Sequence, residues 1–377
     1  MEDFDVQEYV RRIDQFDSYS LNISNKNLKK LPLEIARMAC SSTLVTLEAS
    51  KNPGLVIPDN FQFKRLKWLS NLNMSKCGLT EFIDGFGDLH SLRVLNLSYN
   101  KLSTFPDSLD KLRNLMILDL DGCGLEVVPT IITMLPALER LYLQENKLRE
   151  MPRNFPEQCK LKLLFLDDNP QLTIPDSTNV DLAHLTELKE LRMSRCGMTE
   201  FSAGLCAIQQ LETLFLTGNN LRKFPDTLAP LNNLSSLILC DCELETVPAC
   251  ISTLTALTSL NLGGNKLHAI PSSLSTLNRL QYLYLDHNEF PAFPNSVHHA
   301  SDNPASPMRC VPKNLRVLNL SHNQLTAFPE VVFDLSLLTH LSLHDNKISG
   351  LPRNPEFRAK LDRMVGLRIT GLENISN

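Results

Sequence analysis

The sequence has no basic excess: 37 lysines and arginines stand against 42 aspartates and glutamates, a formal net charge of −5. A nucleic-acid binder would carry a basic stripe to displace counterions from phosphates, so that class is disfavoured. No apolar run reaches the ~18 residues that a membrane-spanning helix needs. Aromatic residues are scarce, 6% of the chain with the single tryptophan Trp68. Yet 43% of the chain is hydrophobic, ample apolar surface to bury, and disorder is excluded. The signatures of catalysis are missing as well: there is no G-x-x-x-x-G-K-[ST], H-E-x-x-H or G-x-S-x-G, and no C-x-x-C pair at zinc spacing. No nucleophile comes with a base and an orienting partner, so no enzyme activity and no cofactor are expected.

Leucine is what the chain has in excess, 70 of 377 residues, a bias that calls for a repeat. The string L-x-x-L-x-L-x-x-[NC]-x-L recurs in thirteen units, from Leu44 to Leu338, some with another residue such as Met74 or Phe290 at one or two of its leucine positions, and nine of the steps between units are 23 residues. Proline commonly follows four residues after the last leucine, as at Pro106, Pro225 and Pro329. Alternation in Leu95 and Leu97, or Leu118 and Leu120, reads as a short strand with one face inward and one outward. Leu109 with Leu112, and Leu228 with Leu231, pack a short helical segment against the far side of the core. No unit can bury its apolar face alone, so stability is roughly a sum of nearest-neighbour terms.

This pattern resembles the leucine-rich repeat family over nearly the whole chain. The resemblance implies an α/β fold: a curved, horseshoe-like solenoid with a parallel β-sheet on the concave face and short helical or irregular segments on the convex face. It implies too that the buried amides of Asn100, Asn146, Asn219, Asn265, Asn288, Asn323 and Asn346 satisfy free backbone groups where the chain leaves each strand. Cys77, Cys123, Cys196 and Cys242 replace asparagine as small, weakly polar side chains. The repeat itself places these cysteines, and neither end carries a cysteine cluster. All ten are therefore expected as reduced thiols, and the acidic opening MEDFDVQEYV has no apolar leader, so a cytoplasmic or nuclear location is expected.

Residues 1–43 read as an N-terminal cap, with Val6, Tyr9, Val10, Ile13 and Phe16 on one helix face. A degenerate first unit follows at Leu21, Ile23, Leu28 and Pro32, with Lys26 where asparagine belongs. Residues 44–352 hold the thirteen repeats, interrupted by a surface loop at about 294–314. Residues 353–377 read as a C-terminal cap, with Phe357, Leu361 and Met364 on a helix face and a last strand at Leu367 and Ile369. Solenoids need such polar-faced ends; docking of a partner by either helix is the alternative. A longer period overlies the shorter one: MSKCGLTEF at 74–82 returns as MSRCGMTEF at 193–201, an offset of 119. A five-unit block is duplicated, and specificity is expected at outward residues where the copies differ.

The variable positions of the strand string face outward and form ladders across neighbouring units. Along the middle one stand Asp119, Tyr142, Phe165, Arg192, Phe215 and Ile238. Large apolar side chains aimed at solvent from a rigid sheet read as an anchor patch, bordered by Asp121, Glu145, Asp167, Asp168 and Arg195. Cross-strand stabilisation is the blander account of the same rings. A second patch gathers Tyr282, Tyr284, Asp286, His287, His322, His340, His344 and Asp345. His287 and His322 share one repeat position, which raises zinc as a ligand, but open-faced histidines seldom supply a fixed tetrahedron. No metal is expected, and polar recognition of a partner is favoured.

Within the family, L-x-x-L-x-L-x-x-[NC]-x-L-x-x-[FILMV]-P at period 23 resembles intracellular scaffolds: the Ras-associated Shoc type, the Scribble and Erbin group, and the plant intracellular Ras-group repeats. The resemblance implies a non-enzymatic scaffold or adaptor that gathers signalling proteins on its concave face, with a small GTPase or a phosphatase among the partners. Two other readings stay open: the targeting portion of a larger kinase, phosphatase or cyclase, and a phosphatase regulatory subunit. Arg65-Leu66-Lys67-Trp68 loosely resembles a phosphatase-docking motif, with Leu66 expected in the core.

Overall fold

The computed structural model describes residues 19–37, 43–174, 182–293, 311–351, 355–364 and 366–372. The helix expected at 6–16 and most of the loop expected at 294–314 lie outside these residues. The chain divides into two compact units, Met1–Arg192 and Met193–Asn377. The first contains eight three-residue strands, β1 (Ser20–Asn22), β2 (Thr46–Glu48), β3 (Asn71–Asn73), β4 (Val94–Asn96), β5 (Ile117–Asp119), β6 (Arg140–Tyr142), β7 (Leu163–Phe165) and β8 (Glu190–Arg192). The second contains β9 (Thr213–Phe215), β10 (Ser236–Ile238), β11 (Ser259–Asn261), β12 (Tyr282–Tyr284), β13 (Val317–Asn319), β14 (His340–Ser342) and β15 (Arg368–Thr370). β1 is the expected degenerate unit and β15 the expected last strand.

Within each unit neighbouring strands are parallel and in residue-for-residue register, so Leu118 stands beside Leu95 and Leu141. Backbone pairing outlasts the strands: the Leu97 N–H donates to the Asp119 carbonyl at 2.9 Å and the Tyr99 N–H to that of Asp121 at 2.6 Å. The chain then leaves through a left-handed residue at the eighth repeat position. Lys51, Tyr99, Asp168, His287 and Asp345 all have φ between 52° and 59° there, and Gly122, Gly218 and Gly264 take the same place in other repeats. A side chain in this conformation costs roughly 1–2 kcal/mol, part of which glycine would return as unfolded-state entropy. Lys51→Gly is therefore expected to stabilise the chain by about 0.5–1 kcal/mol in urea denaturation; a loss would mean the Lys51 side chain makes a contact that outweighs the strain.

The leucines of the strand string are buried, as are Leu109, Leu112, Leu228 and Leu231 behind them. On that far side many repeats make a single 3-10 turn, several of them behind a proline, such as Asp107–Lys111 after Pro106 and Ser272–Thr276 after Pro271. One repeat makes a short α-turn instead, α1 (Thr130–Thr133). Phenylalanines pack behind the strands of several repeats, with Phe63, Phe86 and Phe82 meeting edge to face at 5.1 and 5.4 Å. At the far end α2 (Pro355–Arg363) sets Phe357 against Phe328 and Phe333, 5.2 Å from each. The apolar face of α2 is narrower than the sequence suggests: Phe357 is buried, while Leu361 and Met364 stay half-exposed.

The asparagine at position nine does what its chemistry allows. Asn100 accepts from the Cys77 and Leu79 N–H groups at 3.1 and 3.0 Å and donates to the Met74 and Leu97 carbonyls at 3.0 and 2.7 Å. Asn219 repeats this with Cys196, Met198, Met193 and Leu216. Where cysteine substitutes, one of these links survives: the Cys77 thiol donates to the Ala49 carbonyl at 3.2 Å, and Cys242 to that of Leu216 at 3.2 Å. Burial pushes the Cys123 thiol up to about 11 and that of Cys242 up to about 12, so neither is a nucleophile at neutral pH. All eight described cysteines are free thiols.

Candidate functional site

The third and fifth residues of each repeat point to solvent, and the fifth comes in two kinds. Asn73, Asn96, Asp119, Asn261 and Asn319 each accept from the N–H two residues on, at 2.9–3.1 Å, which closes the strand end. Tyr142, Phe165, Phe215, Ile238 and Tyr284 have no acceptor to offer that N–H, yet stand half-exposed at the same position. Local backbone chemistry accounts for the first kind and not for the second.

In the first unit, Tyr142 and Phe165 are register partners whose rings meet edge to face, centroids 5.1 Å apart at 77°. The Arg192 guanidinium lies 4.3 Å from the Phe165 ring centre, and its Nε donates to Glu190 at 2.6 Å. One row over, the third positions bring half-exposed Val94, Ile117 and Leu163 into register around Arg140. The ladder expected from the sequence ran along the middle position only and missed this apolar row; the same period, read one column earlier, contains it.

Carboxylates gather along the other margin. Asp121 Oδ1 accepts from the Gln144 N–H at 2.7 Å, and Asp167 is 7% exposed. Tyr99 was not among the expected residues. Its hydroxyl donates to Glu145 at 2.8 Å, Lys76 sits 4.5 Å over its ring, and the ring passes where only a glycine at 122 leaves room, since a Cβ there would meet it at 2.6 Å. That hydrogen bond to Glu145 pushes the Tyr99 phenol up to about 12. Burial, and then the neighbouring Asp119, push the Asp121 carboxyl up to about 7, against an ordinary 3.8. Burial also raises Asp119.

A carboxyl raised in the folded chain holds a proton that the unfolded chain has lost, so its stabilising contribution is complete below pH ~4 and disappears as pH rises through ~7. Asp121→Asn keeps the acceptor for Gln144 and removes the charge. It is expected to stabilise the chain at pH 8 by on the order of 1–2 kcal/mol, allowing for solvent screening of a half-buried group, and to change little at pH 4. Equal effects at both pH values, measured by urea denaturation, would rule out the titration as the cause.

In the second unit, Phe215 and Ile238 are register partners on β9 and β10, and Arg195 takes the left-handed position. Tyr282 and Tyr284 both stand outward on β12, with Tyr282 37% exposed. The His287 and His322 rings stack, centroids 4.0 Å apart at 19°. Each has a carboxylate: Asp286 lies 3.1 Å from His287 Nδ1, and Asp345 lies 3.3 Å from His322 Nε2. Stacked rings direct their nitrogen lone pairs in parallel planes, so the two do not converge on one ion. His344 is exposed on the next repeat, and among the described residues no three histidines, cysteines or carboxylates are grouped to hold a metal. As for Arg65-Leu66-Lys67-Trp68, Leu66 is 1% exposed in the core and unable to dock elsewhere, while Trp68 is exposed.

Residues 53–290 match the family model for a leucine-rich repeat region, and residues 312–354 match that for a leucine rich repeat. Among curated proteins none matches the chain. Among solved structures it is similar to a leucine-rich repeat protein of Leptospira interrogans, at 24% identity and a TM-score of 0.56, over 97% of this chain and 98% of that one. It is similar to Toll of Drosophila in the Toll–Spatzle complex, at 22% identity and a TM-score of 0.69, over 89% of this chain and 49% of that one. It is also similar to the functional domain of InlJ from Listeria monocytogenes, which includes a cysteine ladder, at 20% identity and a TM-score of 0.53, over 86% of this chain and 63% of that one. At such identities the likeness is one of fold.

Proposed function

We propose, from the premise that the chain belongs to the leucine-rich repeat family, that it is a non-enzymatic protein-interaction scaffold or adaptor of intracellular signalling, working in the cytoplasm and binding through its outward strand face. One observation carries this reading. The five-unit blocks offset by 119 residues place β3–β7 against β8–β12, and both inward residues of every strand pair, such as Leu118 and Leu237 or Met74 and Met193, are identical and buried. At the third and fifth positions every pair differs: Asp119 against Ile238, Tyr142 against Asn261, Leu163 against Tyr282. Packing dictates the first set. The second lies outside the core and is free of its packing constraint, so it can vary with what binds there. An array of this fold is found with the protein Spatzle in the Toll complex, and a protein is likewise the proposed partner here, with a small GTPase or a phosphatase as the partner classes to test first.

Affinity capture from cell extract tests the reading, comparing the full chain with a Tyr142→Ala, Phe165→Ala, Phe215→Ala variant of unchanged circular dichroism. A defined set of proteins held by the first and lost by the second is expected. The same set on both would make the rings structural and remove the strand face from the reading.

A further inference from the structure

On β5–β7 the outward side chains sort into two adjoining strips. Ile117, Leu163, Tyr142 and Phe165 form an apolar strip from the third and fifth positions, and the carboxylates of Asp119, Asp121 and Glu145 border it from the fifth, seventh and eighth. Parallel register holds the strips side by side at the ~4.8 Å strand spacing. Among the described residues no lysine or arginine stands in ion-pair distance of these three carboxylates. Of the nearby cations, Arg192 is engaged with Glu190 and the Phe165 ring, Lys76 lies over Tyr99, and Arg140 interrupts the apolar strip in the third-position row between Ile117 and Leu163. No cation therefore offsets the charge of this border, and the half-buried Asp119 and Asp121 have given up hydration that a cation would replace. The rings are held by each other and by Arg192, so the surface is formed before anything binds.

We infer that the partner segment seated on this face presents apolar side chains to the Tyr142 and Phe165 rings and lysine or arginine side chains to Asp119, Asp121 and Glu145. The inference rests on the reading of the strand face as a binding surface and adds the chemistry of what it takes. The apolar contacts supply affinity at a desolvated centre, and the charged border selects by complementarity while excluding acidic segments through like-charge repulsion.

Fluorescence anisotropy on the full chain at low salt tests it with three labelled heptapeptides: alternating Lys and Leu, alternating Glu and Leu, and alternating Lys and Ser. The Lys-Leu peptide is expected to bind, the Glu-Leu peptide to fail, and the Lys-Ser peptide to bind about tenfold more weakly for want of apolar anchors. Phe165→Ala and Asp121→Asn are each expected to weaken the Lys-Leu peptide about tenfold, with a shallower salt dependence only for Asp121→Asn. Ser275→Ala, on a turn of the second unit, serves as the unchanged control. Failure of the Lys-Leu peptide to bind, equal binding of the Glu-Leu peptide, or wild-type affinity in both variants overturns the inference. Should capture from extract still be lost with the ring substitutions, only the assigned chemistry falls; should capture persist, the binding face falls with it.

Discussion

Leu118→Ala is expected to cost roughly 2–5 kcal/mol and to broaden or divide the thermal unfolding of the chain. Leu118 is fully buried on β5, flanked in register by Leu95 and Leu141. Truncation removes its transfer free energy and leaves a void that two rigid neighbouring strands close only in part. In a solenoid each repeat touches only the next, so the loss is local, and it weakens coupling between the repeats on either side. Calorimetry checks this, with Tyr142→Ala as the outward comparison on the neighbouring strand. A melting profile identical to the wild type would mean that Leu118 does not point inward and that the register is wrong.

Asn100→Ala should be nearly as damaging for a different reason. Asn100 is 2% exposed and serves two N–H groups and two carbonyls of the turn around it. At about 1–3 kcal/mol for each buried polar group left unpaired, and with some water entering the space, the loss is expected to be on the order of 4 kcal/mol. Asn100→Cys should lose about half as much, because the thiol of Cys123, at the equivalent position one repeat on, still reaches the Leu97 carbonyl at 3.3 Å. The ranking wild type, Cys, Ala in urea denaturation follows. If Ala and Cys proved equal, the retained thiol contact would be worth nothing, and the alternation of cysteine and asparagine along the chain would need another explanation.

Much of this was legible in the sequence, because a 23-residue period is long enough to count and each position in it has one environment. The inward leucines, the satisfying asparagines, the buried Leu66 of the Arg65-Leu66-Lys67-Trp68 string and the terminal strands at Leu21 and Ile369 all follow from the repeat. Other features did not. Tyr99 meets Glu145 across 46 residues of sequence because its long side chain skips a repeat that carries a glycine. The apolar face of α2 proved narrower than its spacing implied, since a terminal helix has packing on one side only. Histidines 287 and 322, aligned by position, stacked on each other instead of converging on an ion.

The period alone set which residues are buried, which turn, and which face outward, since those depend on one repeat and its nearest neighbours. It left open the character of the outward surface. The raised titration of Asp121, the bracing of Phe165 between Tyr142 and Arg192, and the carboxylate border without a cation depend on the reach of side chains from three neighbouring strands at once, and on how much water the fold leaves among them.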